Sequence, residues 1–180
     1  MEEENKNKYS MIRIVIVYPL LAVLLIATFL FLGKAKRDHP RIRQPVTHLI
    51  YRLVAAIKNY ESTYGLLPWG GETDLKCSEK NIMGYDKLLE ILTCIPGPAN
   101  YNAAVGNPRN IKFLDAPKNY TKTGYVDYWG QRFNIYLDLN YDNKVKIGNK
   151  EETGTVFVYS SGPNKKDEEG GGDDICSWKN

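Results

Sequence analysis

Arg43 to Tyr64 reads RQPVTHLIYRLVAAIKNYESTY. Val46, Leu49, Ile50, Leu53, Val54, Ile57, Tyr60 and Tyr64 recur at spacings of three and four, a period that gathers them on one side of an α-helix. Pro45 suits a first turn, where a missing N–H breaks no helical bond, and Gly65 suits the C-terminal cap. The pattern predicts an amphipathic helix over 43–64 whose apolar stripe covers a sheet of the same domain. Its N-terminal part could also serve packing between subunits.

The strands to receive that stripe are expected in the last third. Phe133, Ile135, Leu137 and Leu139 alternate with Asn134, Tyr136 and Asp138; Val145 and Ile147 follow, and Val156 and Val158 alternate with Phe157 and Tyr159. Period-two alternation of this kind predicts an antiparallel meander. The link Asn140-Tyr141-Asp142-Asn143-Lys144 supplies the tolerance of positive φ that a hairpin turn needs. Between helix and meander, Gly70 and Gly71 open a polar loop, a short helix is expected around Tyr85 to Leu92, and Pro96, Pro98, Gly106 and Pro108 mark an irregular connection. The expected fold class is α+β, a long amphipathic helix packed on a small antiparallel sheet, preceded by a transmembrane helix.

That transmembrane helix is expected at 14–32, an uncharged run of nineteen residues. At ~1.5 Å per residue it spans about 28 Å, close to the hydrocarbon thickness of a bilayer. The basic Gly33-Lys34-Ala35-Lys36 that follows lacks a small-x-small cleavage site, so the segment is expected to remain attached. Pro19 sits in its first turns, where proline costs least. Residues 1–13 form an N-terminal cytoplasmic leader, and 33–180 leave roughly 145 residues for one soluble domain with a modest core.

The net charge of +3 carries no case for nucleic acid. Lys34, Lys36, Arg37, Arg41 and Arg43 cluster directly after the apolar run, where a basic flank meets lipid headgroups. Cys77, Cys94 and Cys176 are too few and too scattered for a zinc site. A Cys77–Cys94 disulfide outside the cytoplasm and three reduced thiols remain equally open. His39 and His48 flank the basic segment and are expected to face solvent. No Ser/His/Asp order, nucleophile elbow or phosphate loop is present, and the chain is not expected to be an enzyme.

Two segments invite a metal. Asp138, Asn140 and Asp142 have the one-three-five spacing that opens an EF-hand loop, but Asn143 stands at the sixth position and Asn149 at the twelfth, so a plain turn is expected there. The tail from Tyr159 to Trp178, YSSGPNKKDEEGGGDDICSW, sets Asp167, Glu168, Glu169, Asp173 and Asp174 against only Lys165 and Lys166. A Gly-rich loop with that excess of negative charge repels itself unless a cation balances it.

Taken in order, three pieces of the chain form a pattern: Tyr60, Gly65 and Pro68 at the helix end; Asp127, Trp129, Gly130 and Phe133 at a strand entry; then Ser160, Gly162, Pro163, Asn164, Asp173, Asp174, Ile175 and Trp178. From about Ile14 onward the chain resembles the major pseudopilins of bacterial type II secretion systems and, more broadly, type IV pilin-like proteins. The stretch 70–120 is longer than that pattern requires. The resemblance implies calcium in the C-terminal loop, held by carboxylates and backbone carbonyls and carried here onto Asn164, Asp173 and Asp174, with Ser161 as a carbonyl donor. Asn164-Lys165 replaces the Asp-Gly often found there, which keeps an oxygen ligand but removes a charge.

The resemblance also implies a single-pass protein of the bacterial inner membrane with its soluble domain on the periplasmic side, and other pseudopilin or secretion-system subunits as partners. The positive-inside rule favours the opposite orientation, because the basic flank after the span outnumbers Lys6, Lys8 and Arg13 before it. The outward orientation is the expectation adopted, since a calcium-type loop belongs where calcium is plentiful. Pilin-like precursors place a glycine before the mature N-terminus and a glutamate at its fifth position. Here Ser10 precedes Met11 and Val15 stands in the glutamate's place. Residues 1–10 are therefore expected to persist. The expected function is that of a pseudopilin-like structural component; the alternative is a membrane-tethered binding or sensor module that keeps the fold without polymerising.

Overall fold

The computed structural model describes residues 17–37, 40–69, 73–99, 101–118 and 120–179. It divides into two compact units, 1–39 and 40–180. The first unit contributes one helix, α1 (Tyr18–Arg37), with Pro19 in its first turn. Side chains 17–28 are all exposed. Among the described residues no helix is long and apolar enough to cross a membrane. The 1–13 leader, residues 14–16 of the expected span and His39 lie outside the described residues.

The second unit opens with α2 (Pro40–Tyr64). It begins three residues before the start expected from Pro45, so Pro45 lies inside the helix and not in its first turn. The apolar stripe is as expected. Val46, Ile50, Leu53, Ile57 and Tyr60 are buried together with Ala56, while Leu49, Val54 and Tyr64 pack at its margins. Gly65, at φ 76, ends the helix and donates its N–H to the Glu61 carbonyl at 2.8 Å. A left-handed cap residue of this kind satisfies a carbonyl that the helix itself leaves open.

After β1 (Leu75–Cys77), α3 (Ile82–Thr93) contains the short helix expected at 85–92. Asn81 caps it, its side chain accepting the Gly84 N–H at 3.1 Å. The connection that follows carries two single helical turns, α4 (Ala103–Gly106) and α5 (Tyr120–Thr123). It is irregular in backbone but pinned by buried polar side chains. The fully buried Glu90 carboxylate accepts the N–H groups of Ala99 and Tyr101. Asn107 donates to the carbonyls of Ile91 at 3.0 Å and Ile111 at 2.7 Å. Such side chains replace the ladder that a loop lacks, which is how a long irregular segment stays packed.

The strands depart from a simple meander. β2 (Asn134–Leu137), β5 (Val156–Ser160) and β6 (Ile175–Cys176) join β1 in one antiparallel sheet of order β1-β2-β5-β6. The register pairs Ile135 with Val158 and Tyr159 with Cys176. β3 (Lys144–Ile147) and β4 (Lys150–Thr153) form a separate hairpin between β2 and β5. Its two-residue loop is Gly148-Asn149, and Gly148 takes φ 61 as that tight connection demands. The 140–144 link does turn with positive φ, at Tyr141 and Asn143, but it leads from one sheet to the other and closes no hairpin.

This excursion explains why every residue of β2 is buried. One face of the sheet, with Ile135, Leu137 and Val158, meets α2 and α3 in the main core. The other, with Tyr136, Phe157 and Tyr159, packs with Val145, Ile147, Cys176 and Trp178 in a second apolar cluster. The domain is α+β with a sheet covered on both sides. All three cysteines are free thiols, so the disulfide alternative is not realised.

Candidate functional site

The C-terminal loop leaves β5 at Ser160 and returns at Ile175 to pair with it. Its entry is set by Asp127, at a turn where Asp127 Oδ1 accepts the N–H groups of Trp129 and Gln131, both at 2.9 Å. Oδ2 accepts the Ser160 hydroxyl at 2.6 Å, and Ser160 Oγ in turn accepts the Gly162 N–H at 3.1 Å. Burial raises the Asp127 carboxyl pKa, against the pull of these bonds. The strand-entry piece and the tail piece of the sequence pattern thus share one buried hydrogen-bonded chain.

Gly162 makes the closure of the loop possible. It sits at φ 65, and a Cβ placed there would lie 2.4 Å from the Asp173 carbonyl oxygen. Asp173 is thereby drawn against the start of the loop, where its Oδ2 accepts the Asn164 N–H at 3.0 Å. Asp174 Oδ2 accepts the N–H groups of Glu168 at 3.2 Å and Gly170 at 2.8 Å. Glu168 Oε2 accepts from the Asp173 N–H at 3.1 Å and from the Asn164 side-chain amide at 3.2 Å. These bonds fold the acidic run back on itself.

The result is a carboxylate cluster: one oxygen each from Glu168, Asp173 and Asp174 lie within 4.8 Å of one another. Asp173 Oδ1 and Asp174 Oδ1 are buried, and among the described residues neither has a hydrogen-bond partner. A buried carboxylate oxygen without a partner is costly, and a cation supplies one. The donor set is all oxygen and anionic, the chemistry of calcium more than of zinc or copper. The electrostatics agree. Burial, with the charges of Asp167 and Glu168, pushes the Asp174 carboxyl up to about 7 despite its two N–H bonds. Burial also raises Asp173, while the Asp173 N–H and Asn164 hold the exposed Glu168 below the usual carboxylate range. Without a cation the loop resists carrying its full charge.

The ligands expected from the sequence are brought together unequally. Asp173 and Asp174 are in the cluster. Asn164 touches it through its N–H and amide, but its side-chain oxygen accepts the Lys166 N–H at 2.6 Å. The Ser161 hydroxyl accepts from the Asn134 amide at 3.1 Å, which leaves untouched the backbone carbonyl expected as its ligand atom. Nothing in the sequence marks Glu168 as a ligand, since its place five and six residues before the aspartates has no regular spacing. Asp138, Asn140 and Asp142 tie their turn, although Asp138 Oδ1 is likewise buried without a partner among the described residues. Asp138 Oδ2 accepts the Asn143 N–H at 2.8 Å, Asn140 Oδ1 the Asp142 N–H at 2.8 Å, and Asp142 Oδ1 the Lys144 N–H at 2.9 Å.

Below the loop, Trp178 packs edge-on against Phe157 at 5.3 Å and Tyr159 at 5.7 Å between ring centres. Gly170 permits this, because a Cβ there would lie 2.9 Å from the indole. The Tyr159 hydroxyl donates to Asp167 Oδ1 at 2.7 Å. Loop order and the packing of the second apolar cluster are therefore coupled. No protein-family profile, no curated protein and no solved structure matches this chain.

Proposed function

We propose that the chain is a pseudopilin-like structural component of a bacterial type II secretion or type IV pilus-like machine, in which calcium braces the C-terminal loop and the chain performs no catalysis. The observation that carries the reading is the carboxylate cluster of Glu168, Asp173 and Asp174, with two buried oxygens that have no partner among the described residues. The long helix laid on a small antiparallel sheet is the architecture such a role requires, and the residue pattern running from Tyr60 to Trp178 supports it.

Membrane attachment belongs to the same proposal. Leu20, Leu21, Val23, Leu24, Leu25 and Ile26 of α1 are all exposed, an apolar surface that lipid would cover. The domain is placed on the periplasmic side, where calcium is abundant, with membrane lipid and other pseudopilin subunits as its neighbours. Crosslinking in intact cells tests this. A ladder of crosslinked products containing secretion-system subunits is expected, and a chain that crosslinks only to lipid contradicts the role.

A second reading, a membrane-tethered binding or sensor module that does not polymerise, is favoured by Ser10 and Val15. They stand where processing and subunit pairing would need glycine and glutamate. The mass of the N-terminus from isolated membranes separates the two. An N-methylated Met11 favours the polymerising component, and an intact Met1–Ser10 favours the tethered module.

A further inference from the structure

A cavity of about 530 Å³ opens between the end of α2, α3 and the turn of α4, lined by Tyr60, Tyr64, Trp69, Lys87, Ile91 and Tyr101. Both α2 hydroxyls are already engaged, Tyr60 donating to the Gly106 carbonyl and Tyr64 to Asn107 Oδ1. Among the described lining residues Lys87 is the one charged group. Lys87 Nζ stands 5.9 Å from the centre of the Trp69 ring and 5.5 Å from that of Tyr101. Among the described residues no acidic side chain lines the cavity and no carboxylate pairs with Lys87.

Trp69 adds an independent sign. Its backbone sits at φ 100, a region that a bulky side chain enters only at a cost. Burial does not offset that cost, because Trp69 remains 38% exposed. A strained, half-exposed indole at the mouth of an aromatic cavity is held there for something other than the core.

We propose that this cavity binds a small organic acid, a carboxylate joined to a flat apolar ring. The carboxylate pairs with Lys87, and the ring lies against Trp69 and Tyr101. The volume falls in the range of small-ligand sites, about 300–1,000 Å³, and aromatic walls with a single charged group are their usual lining. A cationic ligand meets repulsion from Lys87. The proposal does not depend on the calcium loop or on the membrane role.

The test is equilibrium dialysis of the full-length chain in lipid nanodiscs, with empty nanodiscs as the blank. The probes are 1-naphthylacetate and its neutral amide, 1-naphthylacetamide, which has nearly the same shape. Saturable binding of one equivalent of the acid is expected, weaker by about tenfold for the amide, the worth of one charge-assisted hydrogen bond. Lys87→Met should erase the preference for the acid. Trp69→Gly should weaken binding of both probes while leaving the melting temperature unchanged or higher, because glycine tolerates φ 100. Binding no greater than the blank, equal binding of acid and amide, or unchanged binding in Trp69→Gly overturns the proposal. So does retention of acetyl-Phe-Asp-amide alone, which would assign the cavity to a polypeptide.

Discussion

Ser160 Oγ donates to Asp127 Oδ2 at 2.6 Å, and both residues are buried, so one carboxylate sets the geometry of two segments 33 positions apart. Asp127→Ala strands the Ser160 hydroxyl and the N–H groups of Trp129 and Gln131. A loss of about 2–4 kcal/mol is expected in urea unfolding, from several polar groups left without partners. Ser160→Ala should cost about 1–2 kcal/mol. The double variant should fall short of the sum, because the first change already removes the shared bond. Strict additivity would mean that the two segments are set independently.

Arg132 holds a second buried carboxylate. Its guanidinium lies 3.3 Å from Asp86, whose side chain is only 4% exposed, and 3.5 Å from the more exposed Glu79. Arg132→Met leaves Asp86 as a buried charge without its partner, which is expected to cost about 3–5 kcal/mol. Adding Asp86→Asn should recover part of that loss. Calorimetric unfolding of the single and double variants checks this, and no recovery would mean that the guanidinium acts through packing and not through charge.

Gly162→Ala should disturb the loop more than a single methyl group suggests. The new Cβ would lie 2.4 Å from the Asp173 carbonyl oxygen, and the backbone would be held at φ 65. Backbone cannot swing aside as a side chain can, so a loss of about 2 kcal/mol or more is expected, together with any calcium response. Trp178 fluorescence and calcium titration report the two effects separately. A variant that keeps both would show that the loop does not need this close approach.

The period of the α2 stripe was legible because a helix 25 residues long repeats its apolar signal many times. β6 offers only Ile175 and Cys176, too short for any alternation to register. β4, Lys-Glu-Glu-Thr, is polar throughout and is held by its pairing with β3. β1 is hidden in the same way, since Leu75-Lys76-Cys77 becomes a strand only by pairing with β2. At the site, Asp173 and Asp174 were legible as adjacent charges. Glu168 was not, because the returning Gly-rich loop, and no local repeat, carries it to them.

The loop should also impose a pH dependence. Burial pushes Asp174 up to about 7, against about 3.9 in an unfolded chain. Between those values the folded form binds more protons than the unfolded form, so the contribution of Asp174 to stability falls as pH rises and levels off above about 7. The fall is on the order of 4 kcal/mol, about 1.4 kcal/mol for each pKa unit. Calcium binds the ionised carboxylates, so its stabilising effect should be absent near pH 5 and full near pH 7.5. Asp174→Asn, which cannot ionise, should flatten the chelated profile over this window. A wild-type profile with the same slope as Asp174→Asn would assign the titration elsewhere.

A cation that braces the C-terminal loop should register in the melting temperature of the full chain, compared with calcium and with chelator. For an affinity of about 0.1 mM and about 1 mM calcium, mass action gives on the order of 1.4 kcal/mol, a rise of about 2–6 °C. Replacing Asp173 and Asp174 together by alanine should abolish that rise, and replacing Asp138 and Asp142 should leave it intact. Identical melting of the wild-type chain in calcium and in chelator would mean that no cation is held there and would leave the acidic cluster a solvated loop.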